Sequence, residues 1–106
     1  MKRGDIYWVN LDPTVGSEIQ KRRPFVLVGA TPINQARKTV VVIPLSSAGT
    51  SRPPLTIPVK CLSKHAVAVC DQIRAVDKSR LINKAGHLSK EEINELENGL
   101  RQILGL

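Results

Sequence analysis

The stretch KTVVVIPL, Lys38–Leu45, is the strongest strand signal in the chain and decides the fold class. Its run of β-branched residues fits a pleated, buried strand. Shorter strand-like segments lie on both sides of it, separated by residues that favour turns; they are DIYWVNL (5–11), PFVLVG (24–29), LTIPV (55–59), AVAVC (66–70) and QIRAVD (72–77). Five or six short strands with little helix predict a mainly β fold, a small β-barrel.

The first strand is apolar on both faces. Ile6 and Trp8 share one face, and Tyr7, Val9 and Leu11 share the other. This pattern predicts a strand covered on both sides. The segment TPINQAR (31–37) predicts one helical turn, with Thr31 as N-cap and Pro32 at the first helical position.

The last 18 residues predict an amphipathic helix. Ser89 and Glu92 have the spacing of a capping box, and Gly105 stands where a C-terminal cap is expected. The apolar residues between them recur at helical spacing; they are Ile93, Leu96, Leu100, Ile103 and Leu104. We expect this stripe to cover the open side of the barrel or a partner subunit.

Composition favours a polyanion as partner. The chain of 106 residues is a normal size for one domain, and its net charge is +7. Residues 1–89 carry +9 and residues 90–106 carry −2, so the basic body is distinct from the acidic helix. A basic surface attracts nucleic acid, although many basic domains are merely soluble.

The same composition argues against several classes of protein. Cys61 and Cys70 are too few for a zinc site without paired histidines, and we interpret them as free thiols in a reducing compartment. No apolar run is long enough for a signal region or a membrane span. We therefore expect a single domain over residues 1–106, located in the cytoplasm, with no cofactor and no metal.

A basic cluster precedes the second strand in DPTVGSEIQKRRPFVLVG, residues 12–29. Lys21, Arg22 and Arg23 stand directly before Pro24, where a loop meets the strand. The residues alone allow two interpretations, a solvated surface loop or an anion-binding site.

Four blocks resemble the MazF/PemK/Kid toxins of bacterial toxin–antitoxin pairs. They occur in the family's order and spacing over nearly the whole chain; they are KRGDIYWVNLDPTVGSE (2–18), RRPFVLV (22–28), VVVIPLSS (40–47) and CDQIRAVDKSRL (70–81). The resemblance implies an SH3-like β-barrel with a C-terminal helix that forms a homodimer. It also implies a metal-independent endoribonuclease that cuts single-stranded RNA at a short motif, and inhibition by a cognate MazE/PemI-like antitoxin.

The resemblance also implies catalytic residues. Arg23 stands at the family's catalytic arginine, before the proline of the RP pair, and Ser46 at its catalytic threonine or serine. Asp71 matches an acid that one branch uses as general base. That branch also has an arginine where this chain has Val69 and a histidine where it has Ser17, so Asp71 is interpreted as either a base or an RNA-binding residue.

Further residues are predicted to bind RNA. They are Glu18, Lys21, Arg22, Ser47, Gln72 and Arg74. Glu18 is alternatively a loop anchor that pairs with Arg23, and Arg74 an ion-pair partner of Asp77. His65 and His87 lie far from these motifs in sequence, so loop and cap roles are expected for both. One of Tyr7 and Trp8 is expected in the core, while the other is free to stack on a base.

Two other functions remain open at this point. One is a gyrase-targeting toxin like CcdB, which acts by contact with a protein. The other is a barrel that binds nucleic acid without cutting it.

Overall fold

The computed structural model describes residues 1–11 and 22–106. Seven strands and two α-helices form there; they are β1 (Asp5–Asn10), β2 (Arg22–Leu27), α1 (Thr31–Ala36), β3 (Thr39–Ser46), β4 (Thr56–Cys61), β5 (Lys64–Val69), β6 (Arg74–Asp77), β7 (Leu81–His87) and α2 (Lys90–Leu104). Short 3₁₀ turns, Cys70–Gln72 and Lys78–Arg80, flank β6. The chain is therefore mainly β with a C-terminal helix, as the sequence predicts.

Strand β3 organises the sheet. The strands follow the order β4-β5-β3-β2-β1-β7, and β6 pairs separately with β3. Residues 39–42 of β3 pair with β6, whereas Leu45 and Ser46 pair with β5. Since β3 changes partner along one edge, the antiparallel sheet curls into a half-barrel. The segment that decides the fold class is thus also the strand that joins the two parts of the sheet.

Apolar side chains fill both faces of the curled sheet. One cluster contains Ile6, Ile43 and Leu45 and packs under α2 through Leu96. The second cluster, on the other face, contains Val9 and is flanked by the half-buried Tyr7 and Leu11. The prediction that β1 is covered on both faces is confirmed.

Helix α2 closes the first cluster. Ser89 Oγ accepts a hydrogen bond from the Glu92 N–H, the Glu92 carboxylate accepts one from the Ser89 N–H, and Gly105 ends the helix with φ 71°. Ile93, Leu100 and Ile103 pack against the cluster, whereas Leu104 is half exposed. The capping box, the terminal glycine and the coverage of the barrel are confirmed.

Two predictions on local structure need correction. The N-cap of α1 is Ala30, and Thr31 is the first helical residue, because its Oγ1 instead accepts a hydrogen bond from the Arg3 N–H. Strand β7 was not predicted, since its sequence LINKAGH carries few apolar residues. It forms because β1 needs a hydrogen-bonding partner on its second edge.

Among the described residues, neither helix has the length and apolarity required to cross a bilayer.

Candidate active site

Arg23 and Ser46 come together where β2 begins and β3 ends. The register of these strands pairs Phe25 with Pro44, and Arg23 and Ser46 each lie two residues beyond this pair, on β2 and on β3. Pro24 can stand within β2 because its ring fixes φ in an extended-compatible range at the start of the strand. Both side chains line one cleft with a volume of about 350 Å³. Two of the three residues predicted to be catalytic therefore line the same cleft.

The cleft has an apolar floor and a polar rim. Buried or half-buried apolar residues form the floor; they are Trp8, Pro24, Leu45, Cys61 and Ala66. More exposed residues from three segments form the rim; they are Arg23, Ser46, Ser47, Ala48, Leu62, Lys64 and His65. Such a cleft can receive a nucleotide, with the base on the floor and the phosphate at the rim.

The Ser46 hydroxyl is positioned by its own loop. Its Oγ accepts a hydrogen bond of 3.3 Å from the Ala48 N–H, the local turn that serine commonly makes at the start of a loop. A hydroxyl that accepts one such bond still has its proton to donate. The local turn thus fixes the oxygen at the cleft and leaves the O–H available for a ligand.

The electrostatics of the cleft favour an anion. Arg23 and Lys64 contribute positive charge, and no carboxylate lines the cleft among the residues that the structure describes. Within that part of the chain, Arg23 forms no ion pair. A guanidinium without a carboxylate partner has all its donors available, and it binds phosphate oxygens in bidentate fashion.

His65 was missed as a site residue. It is the second residue of β5, and it lines the same cleft as Arg23 and Ser46. The sequence does not predict this position, because His65 is far from the motifs along the chain and β5 is brought to the cleft by its pairing with the end of β3. His87 is the last residue of β7 rather than a loop or cap residue, and its Nδ1 lies 2.6 Å from Oδ1 of the buried Asp5.

The structure also separates the two aromatic residues of β1. Trp8 lines the cleft, whereas Tyr7 packs against the second apolar cluster. Of the two, Trp8 is thus the one placed to contact a base.

Asp71, Gln72 and Arg74 lie apart from this cleft. Asp71 and Gln72 are exposed in the 3₁₀ turn that follows β5, and Arg74 begins β6 opposite Val42. None of the three lines the cleft of Arg23 and Ser46. The alternative that Arg74 pairs with Asp77 is wrong, because Asp77 instead accepts a hydrogen bond from the Ser79 N–H.

The structure describes only some of the remaining residues that were predicted to bind RNA. Arg22 is exposed at the first position of β2, opposite Asn10, and does not line the cleft. Ser47 does line it. Glu18 and Lys21 lie outside the described residues, as does the suggested pairing of Glu18 with Arg23.

Both thiols are free and buried, as the sequence predicts. Burial raises the pKa of Cys61. Burial, together with the negative charge of Asp71, raises the pKa of Cys70 to about 11. Protonated thiols are poor nucleophiles and poor metal ligands, and no group of side chains within residues 1–11 and 22–106 has the composition of a metal site.

Comparison with known proteins places these features in a family. The model of the PemK-like, MazF-like toxins of type II toxin–antitoxin systems matches residues 2–104. An endoribonuclease MazF from Staphylococcus saprophyticus is 32% identical over 111 aligned positions, which cover 100% of this chain and 92% of the relative.

Solved structures share the fold. A mycobacterial endoribonuclease in complex with its cognate antitoxin superposes with a TM-score of 0.84 at 20% identity, over 100% of this chain and 96% of the other. MazF from Deinococcus radiodurans gives 0.80 at 22% identity, over 100% and 97%. The sequence match over nearly the full length and the common fold lead to one conclusion: this chain belongs to the PemK-like, MazF-like toxin family of type II toxin–antitoxin systems.

Proposed function

We propose that this protein is an endoribonuclease that cuts single-stranded RNA at a short sequence motif, without a metal ion. One observation carries the proposal: Arg23 and Ser46 line the same cleft, whose described lining holds cations and no carboxylate. The name of the staphylococcal relative, an endoribonuclease, supports the same activity. The cleft and the relative thus point to one substrate class.

The RNA supplies its own nucleophile. The 2′-hydroxyl oxygen attacks the adjacent phosphorus, the bond to the 5′-oxygen breaks, and a 2′,3′-cyclic phosphate and a 5′-hydroxyl end result. Negative charge grows on the non-bridging oxygens in the transition state, where preorganised donors act most strongly. Arg23 binds these oxygens, and the free Ser46 O–H donates to one of them. DNA lacks the 2′-hydroxyl, so it is bound at most and never cut.

The chemistry explains why no metal is needed. A metal ion in a nuclease commonly activates a water nucleophile and neutralises charge on phosphate. Here the nucleophile belongs to the substrate, and the guanidinium of Arg23 supplies the charge. Asp71 lies outside the cleft, so we assign it to RNA binding or to the local structure rather than to proton removal.

Other residues extend the RNA-binding surface. Trp8 offers an aromatic face to a base, and Ser47 a second hydroxyl at the rim. Gln72 and Arg74 bind RNA that continues beyond the cleft, and the basic residues Lys21 and Arg22 attract its phosphate backbone. The carboxylate of Glu18 would repel phosphate, so it is suited to accept a hydrogen bond from a base instead.

The biological role follows from the family. We propose a cytoplasmic toxin that stops translation and growth by cutting mRNA, acts as a homodimer of single-domain chains, and is neutralised by a MazE/PemI-like antitoxin. Antitoxin complexes of structural relatives from mycobacteria and Deinococcus radiodurans support the last point.

Single-turnover cleavage by variants tests the proposal. We expect Arg23→Ala to lower the rate at least about 100-fold, the usual loss when one donor to the transition state is removed. Arg37→Ala is the matched control, because Arg37 is also an exposed arginine, follows α1 as its C-cap and does not line the cleft. Asp71→Asn should slow cutting far less than Arg23→Ala.

Circular dichroism confirms that each variant is folded before rates are compared. A folded Arg23→Ala protein that cuts at the wild-type rate contradicts the role of the cleft. Equal losses in Arg23→Ala and Asp71→Asn return Asp71 to the role of general base. RNA that is bound and never cut by the wild type supports a binding-only barrel, and RNA that is neither bound nor cut supports a protein target such as gyrase.

A further inference from the structure

The proposed cleavage needs a group that protonates the departing 5′-oxygen. An alkoxide is a strong base, so its departure is slow unless an acid donates a proton in the transition state. A guanidinium is not deprotonated in proteins, and a serine hydroxyl is a weak acid. Neither Arg23 nor Ser46 can therefore supply this proton, and Asp71, the third predicted catalytic residue, does not line the cleft.

His65 is the residue of the cleft with suitable chemistry. Among the titratable groups in its described lining, imidazole alone ordinarily exchanges protons near neutral pH. The others are Arg23, Lys64 and the buried Cys61, whose pKa is raised. Glu18 belongs to the segment outside the described residues.

Strand register brings His65 towards the reacting centre. Ser46 of β3 pairs with Val67 of β5, and His65 is the next residue on the same face of β5. Such diagonal neighbours have Cα atoms roughly 7–8 Å apart. Arg23 of β2 lines the same cleft, so three adjacent strands contribute the three side chains.

The turn before His65 holds it in place. Leu62 and Ser63 connect β4 to β5 with φ of 53° and 64°, the left-handed geometry of a tight hairpin. Glycine or asparagine usually occupies such positions, and leucine pays a steric cost there. Leu62 itself is half exposed and lines the cleft. This turn fixes Lys64 and His65 at the rim.

The surroundings of His65 leave its ring available. Lys60 of β4 is its cross-strand neighbour, and Lys64 and Arg23 share its cleft. No residue in the described part of the chain holds the ring by a hydrogen bond or an ion pair. By contrast, His87 is held by Asp5.

We infer that His65 is the general acid of the reaction, an inference that rests on the proposed function. Protonated His65 donates its proton to the 5′-oxygen as the bond from phosphorus to that oxygen breaks. The 2′-oxygen forms the new bond to phosphorus, and its proton passes to solvent water. Solvent then protonates the imidazole again, so that protons and electron pairs balance over the cycle.

A substrate with a sulfur leaving group tests this role. Wild-type protein first maps one cleaved linkage, and an RNA with sulfur in place of the bridging 5′-oxygen is made for that linkage. A thiolate leaves without protonation. We expect His65→Gln to lose about 100-fold in single-turnover rate on ordinary RNA and to cut the sulfur substrate at nearly the wild-type rate.

Lys38→Gln is the control, because Lys38 is an exposed basic residue that neither belongs to the β4–β5 hairpin nor lines the cleft. It should retain the wild-type rate and pH profile, whereas His65→Gln loses the decline in rate towards high pH. Equal losses on both substrates would show that His65 only binds RNA, and no loss would remove it from the mechanism. Failure of the wild type to cut ordinary RNA would overturn the proposed function itself.

Discussion

Asp5 shows how a single residue joins the start of the chain to its last strand. Its carboxylate is buried, accepts a hydrogen bond of 3.0 Å from the Lys2 N–H, and lies 3.3 Å from Lys84 Nζ and 2.6 Å from His87 Nδ1. Burial by itself raises the pKa of Asp5, but these hydrogen bonds outweigh it, so the pKa is lowered from 3.8. The ionised form is therefore the stabilising one.

This shift predicts a pH dependence of stability. Since the pKa is lower in the folded chain, the contribution of Asp5 is present above pH 3.8 and is lost as the pH falls through the folded pKa. Asp5→Asn should lower the free energy of unfolding at pH 7 by roughly 2 kcal/mol. As the pH falls, the free energy of unfolding of the variant should decrease less than that of the wild type. Urea titrations at several pH values measure both effects.

Asp71→Asn is the control, because Asp71 is an exposed aspartate outside this contact. An Asp5→Asn protein as stable as wild type at pH 7, or one whose stability declines equally in acid, contradicts this role of Asp5.

At the residue level, the sequence predicts the site only in part. Arg23 and Ser46 could be predicted because each lies in a block that resembles a family motif. His65 and Trp8 could not, since their place in the cleft depends on which strands pair and in which register. The local sequence of a strand does not determine which distant strand it pairs with or in which register.

At the level of elements, helix α2 depends on its first turn. Ser89 and Glu92 satisfy two N–H groups that the helix leaves open, and a Glu92 oxygen also accepts a hydrogen bond of 2.7 Å from the Lys60 N–H of β4. The capping box thus stabilises the first turn of the helix and also attaches it to β4 of the barrel.

Ser89→Ala should lower the free energy of unfolding by about 1 kcal/mol, the usual cost of losing an N-cap side chain. Ser89→Thr, which keeps the hydroxyl, should restore most of it, and Ser51→Ala serves as control because Ser51 is an exposed serine that caps no helix among the described residues. Thermal unfolding gives the comparison. Equal stability of Ser89→Ala and Ser51→Ala would contradict the role of the cap.

Helix α2 could be predicted in detail because caps and helical spacing are local signals. Strand β7 could not, because its pairing with β1 includes two register shifts and its sequence lacks the alternation of a half-buried strand. The one-residue error at the start of α1 has a similar cause: the Thr31 hydroxyl is used by the distant Arg3 N–H.

In the whole molecule, the negative and positive charges are segregated between helix α2 and the basic body, residues 1–89. The acidic helix α2 packs over one apolar cluster and meets the basic body in the ion pair of Arg3 with Glu97, 2.9 Å apart. The cleft of Arg23, Ser46 and His65 has a lining that includes no residue of α2. Because the acidic helix does not line the cleft, its negative charges do not oppose the attraction of RNA by the basic residues of the body.

The most direct test of the account is to incubate the purified protein with a long single-stranded RNA in EDTA and to map the 5′ ends of the fragments. We predict discrete cuts that share a short motif. The new ends should accept phosphate from polynucleotide kinase without prior dephosphorylation, because attack by the 2′-hydroxyl leaves a 5′-hydroxyl. RNA that stays intact with folded protein, is cut only when magnesium is restored, or carries 5′-phosphate ends would contradict the proposed mechanism.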